Sequence, residues 1–217
     1  AKADMLLKGD GDQAEHIGFG STLSNDHNAT RQFDFMLSNP PYGKSWKTDA
    51  EKMGGKKDIL DTRFNIYLEN GEQLATIPRT SDGQLLFLLN NVAKMKKDTP
   101  LGSRIAEVHN GSSLFTGDAG SGESNARRYL IESDLVEAII ALPENMFYNT
   151  GIGTYIWVLS NKKEERRKGK IQLIDATAMK SPLRKNMGKK NCEFTEKIRA
   201  EILRIFMEME ESEVRHI

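Results

Sequence analysis

Phe33-Asp34-Phe35-Met36-Leu37-Ser38-Asn39-Pro40-Pro41-Tyr42 is a nearly continuous apolar run that stops at two consecutive prolines. The run predicts a β-strand over 33–37, and Asn-Pro-Pro predicts the turn that ends it. In open α/β sheets ligands bind beyond the carboxyl ends of strands, so Asn39 to Tyr42 stands where a site is expected.

Outward from this strand, short β-type runs alternate with helical stretches, the pattern of an α/β sheet with helices on both faces. Leu85, Leu88, Leu89 and Val92 form one helical stripe, with Ser81 and Gln84 at capping-box spacing before it and Lys94, Lys96 and Lys97 at its end. Strands are expected at 17–20, 104–109, 135–142, 154–160 and 171–174, and helices at 126–131 and 195–209. The segment 47–57 is charged and Gly-containing, which predicts a mobile loop. Ala1 to Leu7 has helical spacing without a cap, as in a helix whose beginning lies elsewhere. The last strands follow one another too closely for a crossover helix, so a mixed sheet with an antiparallel edge hairpin is expected.

The types of residue in the turn point to chemistry. An aromatic amine is a weak nucleophile because its lone pair is delocalised into the ring. Two acceptors aimed at its two N–H bonds raise electron density on nitrogen and stabilise positive charge in a transition state. The side-chain oxygen of Asn39 and the carbonyl of Pro40 can be that pair, and two prolines in succession restrict the backbone that aims them. Tyr42 offers a flat face for an unstacked base. The same four residues also suit a plain turn that ends a strand, with Tyr42 on the surface. A polyproline ligand fits less well, because the segment is integral to the fold.

The 217 residues suffice for one buried core, and no Pro- or Ser-rich linker divides them. The 31 basic and 31 acidic side chains cancel, so no global positive field announces a polyanion; a nucleic-acid enzyme of this balance confines its charge to one face or shares it with partners. Cys192 is the only cysteine, which excludes a disulfide framework and a cysteine-rich zinc site. The apolar runs are too short to span a bilayer, and no signal peptide opens the chain, so a soluble cytoplasmic protein without membrane partners is expected. His16, His27, His109 and His216 lack metal-ligand spacing, and no metal is expected.

The stretch from Phe33 to Tyr42 resembles the strand and catalytic motif of amino-methyltransferases that use S-adenosylmethionine. Ser81 to Leu88, Asn110 to Asp118, Ser121 to Tyr129 and Ala141 to Thr154 resemble the modification subunits of type I restriction–modification systems, which are adenine-specific DNA methyltransferases. The resemblance implies part of a Rossmann-like methyltransferase fold, with residues 1–190 as the C-terminal part of the catalytic domain. Residues 191–217 form a closing helix that packs on the domain or contacts a partner subunit. It implies Asn39, Pro40, Pro41 and Tyr42 as catalytic residues, and the target adenine between Tyr42 and Phe147. The alternative for Phe147 is a core aromatic at a strand end. S-adenosylmethionine is the implied cofactor, with Asn39 and Ser21 beside it; Ser21 stands where the family more usually has Asp or Asn. Implied partners are DNA, the specificity and restriction subunits and a second modification subunit.

The glycine-rich cofactor turn that the family places before the catalytic tetrapeptide is missing ahead of Asn39. It is expected upstream of Ala1, which makes this chain one part of the enzyme and inactive alone. Gly117 to Glu123 is too far from the strand ending at His109 to replace it, and reads as a flexible loop near DNA or a partner. The basic run Lys162 to Lys170 reads as a solvated hairpin tip, with a phosphate clamp as the alternative. Methylation of protein glutamine or of RNA would use the same tetrapeptide, and a non-catalytic scaffold fragment is the third possibility.

Overall fold

The computed structural model describes residues 2–209 and the backbone of 215–216. The chain opens with two short helices, α1 (Lys2–Leu7) and α2 (Gly11–Ala14), before β1 (Phe35–Ser38) and α3 (Lys47–Lys52). A hairpin of β2 (Asn65–Tyr67) and β3 (Gln73–Ala75) leads to α4 (Gln84–Ala93), β4 (Arg104–Asn110), α5 (Ser112–Phe115) and α6 (Gly122–Glu132). Then come β5 (Val136–Ala141), β6 (Thr154–Ser160), β7 (Gln172–Asp175) and a second hairpin, β8 (Ser181–Met187) and β9 (Lys190–Glu193). Helix α7 (Glu196–Glu208) and the short β10 (Arg215–His216) close the chain.

The main sheet has the order β1-β4-β6-β5-β7-β10. β1 and β4 are parallel, as are β5 and β7, while β6 runs antiparallel between β4 and β5. The sheet is therefore mixed. Its antiparallel hairpin is β5–β6, and β7 and β10 continue the sheet beyond it.

Strand alternation sorts the side chains onto two faces. Ile105, Trp157 and Leu159 face α4 and α6, where Leu85, Leu88, Leu89, Ala126 and Leu130 complete the larger core. Each such leucine, fully buried, contributes about 1.5–3 kcal/mol of transfer free energy. On the other face Ile140, Ile174, Ile202 and Ile205 pack β5 and β7 against α7. That helix starts at Thr195, whose hydroxyl accepts the Ile198 N–H, and ends at Met209 in the left-handed region with φ 54°. The outer edge of β1 pairs with no described strand, and Phe35 and Leu37 are 70% and 88% exposed there.

Four local expectations give way to tertiary contacts. Residues 17–20 form no strand; they wrap around His27, whose Nε2 lies 2.6 Å from the Phe19 carbonyl. The expected loop 47–57 contains α3, anchored by buried Trp46 and Ala50, with the Trp46 indole N–H donating to the Arg79 carbonyl at 2.9 Å. Ser81 does not cap α4: Gly83 is the N-cap, and Asp82 Oδ1 accepts the Gln84 N–H instead. The run 162–170 is not a hairpin tip but the crossing from β6 to β7, with Arg167 buried against Glu137 and Lys163 paired to Asp134.

Candidate active site

Parallel pairing puts the ends of β1 and β4 side by side, with Ser38 opposite Glu107. The chain leaving β1 therefore meets Asn110 at the end of β4. Between them and the β5–β6 connection lies a cleft of about 870 Å³, lined by Asn39, Pro40, Pro41, Tyr42, Lys44, Asn110, Phe147 and Tyr148, among others. The β5–β6 connection reaches over the sheet through a left-handed Asn145, φ 57°, and a bridge between Phe147 and Thr150. Phe147 is half-buried; it lines the cleft and also packs on the core under α7.

Within the cleft Asn39 is exposed and Pro40 buried. Among the described residues none donates a hydrogen bond to the Asn39 side chain or to the Pro40 carbonyl. Both residues line the cleft. Burial pushes the Tyr42 phenol above its ordinary value, so Tyr42 is an uncharged, half-buried ring at neutral pH.

A polar network holds this cleft from behind. Asp82 Oδ1 accepts the Gly43 N–H at 3.2 Å and the Gln84 N–H at 3.2 Å. Asp82 Oδ2 accepts from Gln84 Nε2 at 2.7 Å and from the Ser112 hydroxyl at 2.9 Å. Gln84 Nε2 also lies 2.8 Å from Asn110 Oδ1, and the Asn110 N–H donates to Gln84 Oε1. One carboxylate thus joins Gly43, just after the tetrapeptide, to the start of α4 and to Ser112, just beyond β4. These roles escape a linear reading, although the pattern of a carboxylate or amide next to glycine, Asp82-Gly83-Gln84 and Asn110-Gly111-Ser112, marks both turns. Beneath α4, Glu107 accepts from Asn91 at 2.6 Å and pairs with His109 at 2.7 Å, both fully buried, so His109 belongs to the core.

Ser21 does not join the cleft. It lines a separate cavity of about 440 Å³ on the α4 side of β1, with Asn25, His27, Phe35, Leu37 and Asn91. The two cavities share no lining residue: the first runs along β1 at Phe35, Met36 and Leu37, and the second begins beyond the strand at Asn39. The segment 117–122 does not supply a third: it packs its backbone into the turn before α4, where a Cβ on Gly122 would stand 1.9 Å from the Ile77 carbonyl oxygen. Ser121 caps α6, and Glu123 Oε1 accepts the Arg79 N–H at 3.0 Å.

A family model described as N-6 DNA methylase matches residues 1–216. The chain belongs to this family. Similar to this N-6 DNA methylase chain is the type I restriction enzyme MjaVII methylase subunit of Methanocaldococcus jannaschii, 30% identical over 180 residues. That alignment covers 82% of the chain and 28% of the relative. The MpnII methylase subunit of Mycoplasma pneumoniae is 31% identical over 145 residues, covering 67% of the chain and 23% of the relative. The methylase chain thus spans about a quarter of the length of these curated relatives. Among solved structures, the type I restriction–modification methyltransferase subunit from Streptococcus thermophilus superposes with TM-score 0.76 at 26% identity, over 98% of this chain and 40% of that one. The EcoKI M protein shares the fold, with TM-score 0.59 at 21% identity. Among the described residues no helix is long and apolar enough to cross a membrane.

Proposed function

We propose that this chain is the target-base half of an adenine-specific DNA methyltransferase, the modification subunit of a type I restriction–modification system working in the cytoplasm. One observation carries the reading: two unoccupied acceptors, on Asn39 and Pro40, share a cleft with the rings of Tyr42 and Phe147 at the carboxyl end of a parallel strand. A flipped adenine stacks between those rings. Its exocyclic amine donates one N–H to Asn39 Oδ1 and the other to the Pro40 carbonyl. As positive charge develops on that nitrogen, the two acceptors stabilise it more than they stabilise the neutral amine. The Tyr42 phenol, raised further by burial, is neutral and its ring face apolar, so stacking does not depend on pH near neutrality.

S-adenosylmethionine, when bound, supplies the electrophilic methyl group. The Ser21 cavity fits its adenosine end: Phe35 and Leu37 present open apolar surface at an unpaired edge, and Ser21 and Asn25 add polar atoms for a ribose or a base edge. Asn39 lines the target cleft two residues after Leu37, which lines that cavity. The bare edge of β1, in a chain covering 28% of the MjaVII relative, supports a further reading: the remaining cofactor-binding strands lie in the larger subunit. DNA, a specificity subunit, a restriction subunit and a second modification subunit are the proposed partners.

The test offers labelled methyl donor and, separately, duplex DNA, RNA and a glutamine-bearing protein to the complete subunit in its complex. Label is expected in 6-methyladenine of DNA alone. Label in RNA or in protein glutamine, with none in DNA, would replace this reading with the second enzyme class. Absence of donor binding would leave a scaffold.

A further inference from the structure

We propose that the β8–β9 hairpin grips the phosphate backbone of DNA beside the cleft, an assignment that rests on the methyltransferase reading above. The chain as a whole is balanced at 31 basic and 31 acidic residues. The segment 180–190 nevertheless carries Lys180, Arg184, Lys185, Lys189 and Lys190 and no acidic side chain. Lys180, Arg184, Lys185 and Lys189 are exposed. Among the described residues no carboxylate pairs with any of those four. The other basic run behaves differently. There Lys163 pairs with Asp134 at 2.5 Å, Arg166 with Glu164 at 2.8 Å and Lys168 with Glu165 at 2.5 Å. Its charges are largely engaged within the fold, and the hairpin's are not.

The hairpin is seated on the wall of the cleft. The Lys189 N–H donates to the Tyr148 carbonyl at 2.9 Å, and the Asn191 N–H donates to the Asn145 carbonyl at 3.0 Å. Lys190 Nζ stands 5.2 Å from the centre of the Tyr148 ring, and Tyr148 lines the cleft. Gly188 makes this approach possible: its φ is +64°, and a Cβ there would lie 2.7 Å from the Tyr148 carbonyl oxygen. Lys44 lines the cleft from its β1 side.

Positive charge therefore stands at the rim over which the strand flanking a flipped nucleotide must pass. A duplex presents one negative charge per roughly 1.7 Å of axis, and each unpaired cation that meets a phosphate releases condensed counterions. Contacts of this kind fix register and carry no sequence information. They suit a subunit that holds the target base while another subunit chooses the sequence.

The experiment measures duplex affinity against salt for the complete methyltransferase complex, comparing wild type, the triple variant Arg184→Gln, Lys185→Gln, Lys189→Gln and the single variant Lys185→Gln. Lys168→Gln with Lys170→Gln is the control. Each lost phosphate contact lowers the slope of log K against log salt by about 0.9. The expected reduction is about two to three for the triple variant, about one for the single variant and none for the control. A triple-variant slope within half a unit of wild type overturns the assignment, as does loss of a partner subunit with that slope unchanged. If wild type methylates DNA and the slope does not respond, the hairpin assignment alone fails; if wild type neither binds nor methylates DNA, the methyltransferase reading fails with it.

Discussion

The Asp82 carboxylate accepts the backbone N–H of Gly43 across 3.2 Å, tying the residue after Tyr42 to the first turn of α4. The same oxygen accepts the Gln84 N–H, and its twin meets Gln84 and Ser112. The turn after β1 is thus braced by a side chain that does not line the cleft. Replacing Asp82 with Ala should cost about 0.5–2 kcal/mol of stability, as loss of a helix-start acceptor does. It should also lower methyl transfer by up to about 100-fold, because small displacements of positioning groups are that costly. Thermal unfolding and single-turnover rates on the complete enzyme read the two effects separately. A rate unchanged to within twofold would show that the turn needs no brace.

Gly122 sits against the backbone of Ile77, with a hypothetical Cβ 1.9 Å from its oxygen and 2.3 Å from its carbon. Backbone cannot swing aside as a side chain can. Gly122→Ala should therefore destabilise by about 1–3 kcal/mol or more, the cost of overpacking. Denaturant unfolding measures it. Gly120→Ala, three residues before Glu123 and with open space around its Cβ, pays only for its φ of +81° and should cost less. Equal costs at the two positions would contradict the packing account.

Burial raises the Asp26 carboxyl, but the Lys94 hydrogen bond and charge, the Asn28 N–H and the Arg63 charge outweigh it and hold Asp26 below its ordinary value. Asp61 shifts the same way, with the Arg63 hydrogen bonds overcoming burial. A depressed folded value means the contribution is present above the unfolded value, near pH 4, and is lost as pH falls through the folded one. Melting temperatures of wild type and Asp26→Asn should therefore differ most at neutral pH and converge below about pH 4. A gap that stays constant down to pH 2 would contradict this.

Tyr42 acts through its ring in this account. Tyr42→Phe should keep most activity, whereas Tyr42→Ala should lose about 1–3 kcal/mol of base stacking, roughly 5- to 150-fold in target-base binding. A fluorescent adenine analogue at the target position reports the stacking. Equal loss in the two variants would assign the phenol, not the ring, to the site.

Much of this was legible in linear form because it depends on local period. The Leu85-Leu88-Leu89-Val92 stripe and the capped α7 each bury one face, and one face leaves a periodic trace, whereas β1 is legible only as an apolar run, since its Phe35 and Leu37 are exposed. Helix α3 left none: it is six residues of charged sequence, held by Trp46 reaching the Arg79 carbonyl thirty-three positions away. The β8–β9 hairpin is mostly exposed and buries only Cys192, so alternation barely marks it. At the cleft, the tetrapeptide announces itself by composition. Tyr148, Asn110 and Lys44 do not, since only the return of the β5–β6 connection over the sheet brings them together.

In the proposed reaction the Asn39 oxygen is an acceptor for the adenine amine. Asn39→Ala in the complete subunit, assayed for 6-methyladenine formation at saturating donor and duplex, tests it most directly. Loss of about 10²-fold or more in rate, as for removal of one transition-state hydrogen-bonding group, is predicted, with the melting temperature and donor affinity kept. An Asn39→Ala enzyme that forms 6-methyladenine at the wild-type rate would contradict it.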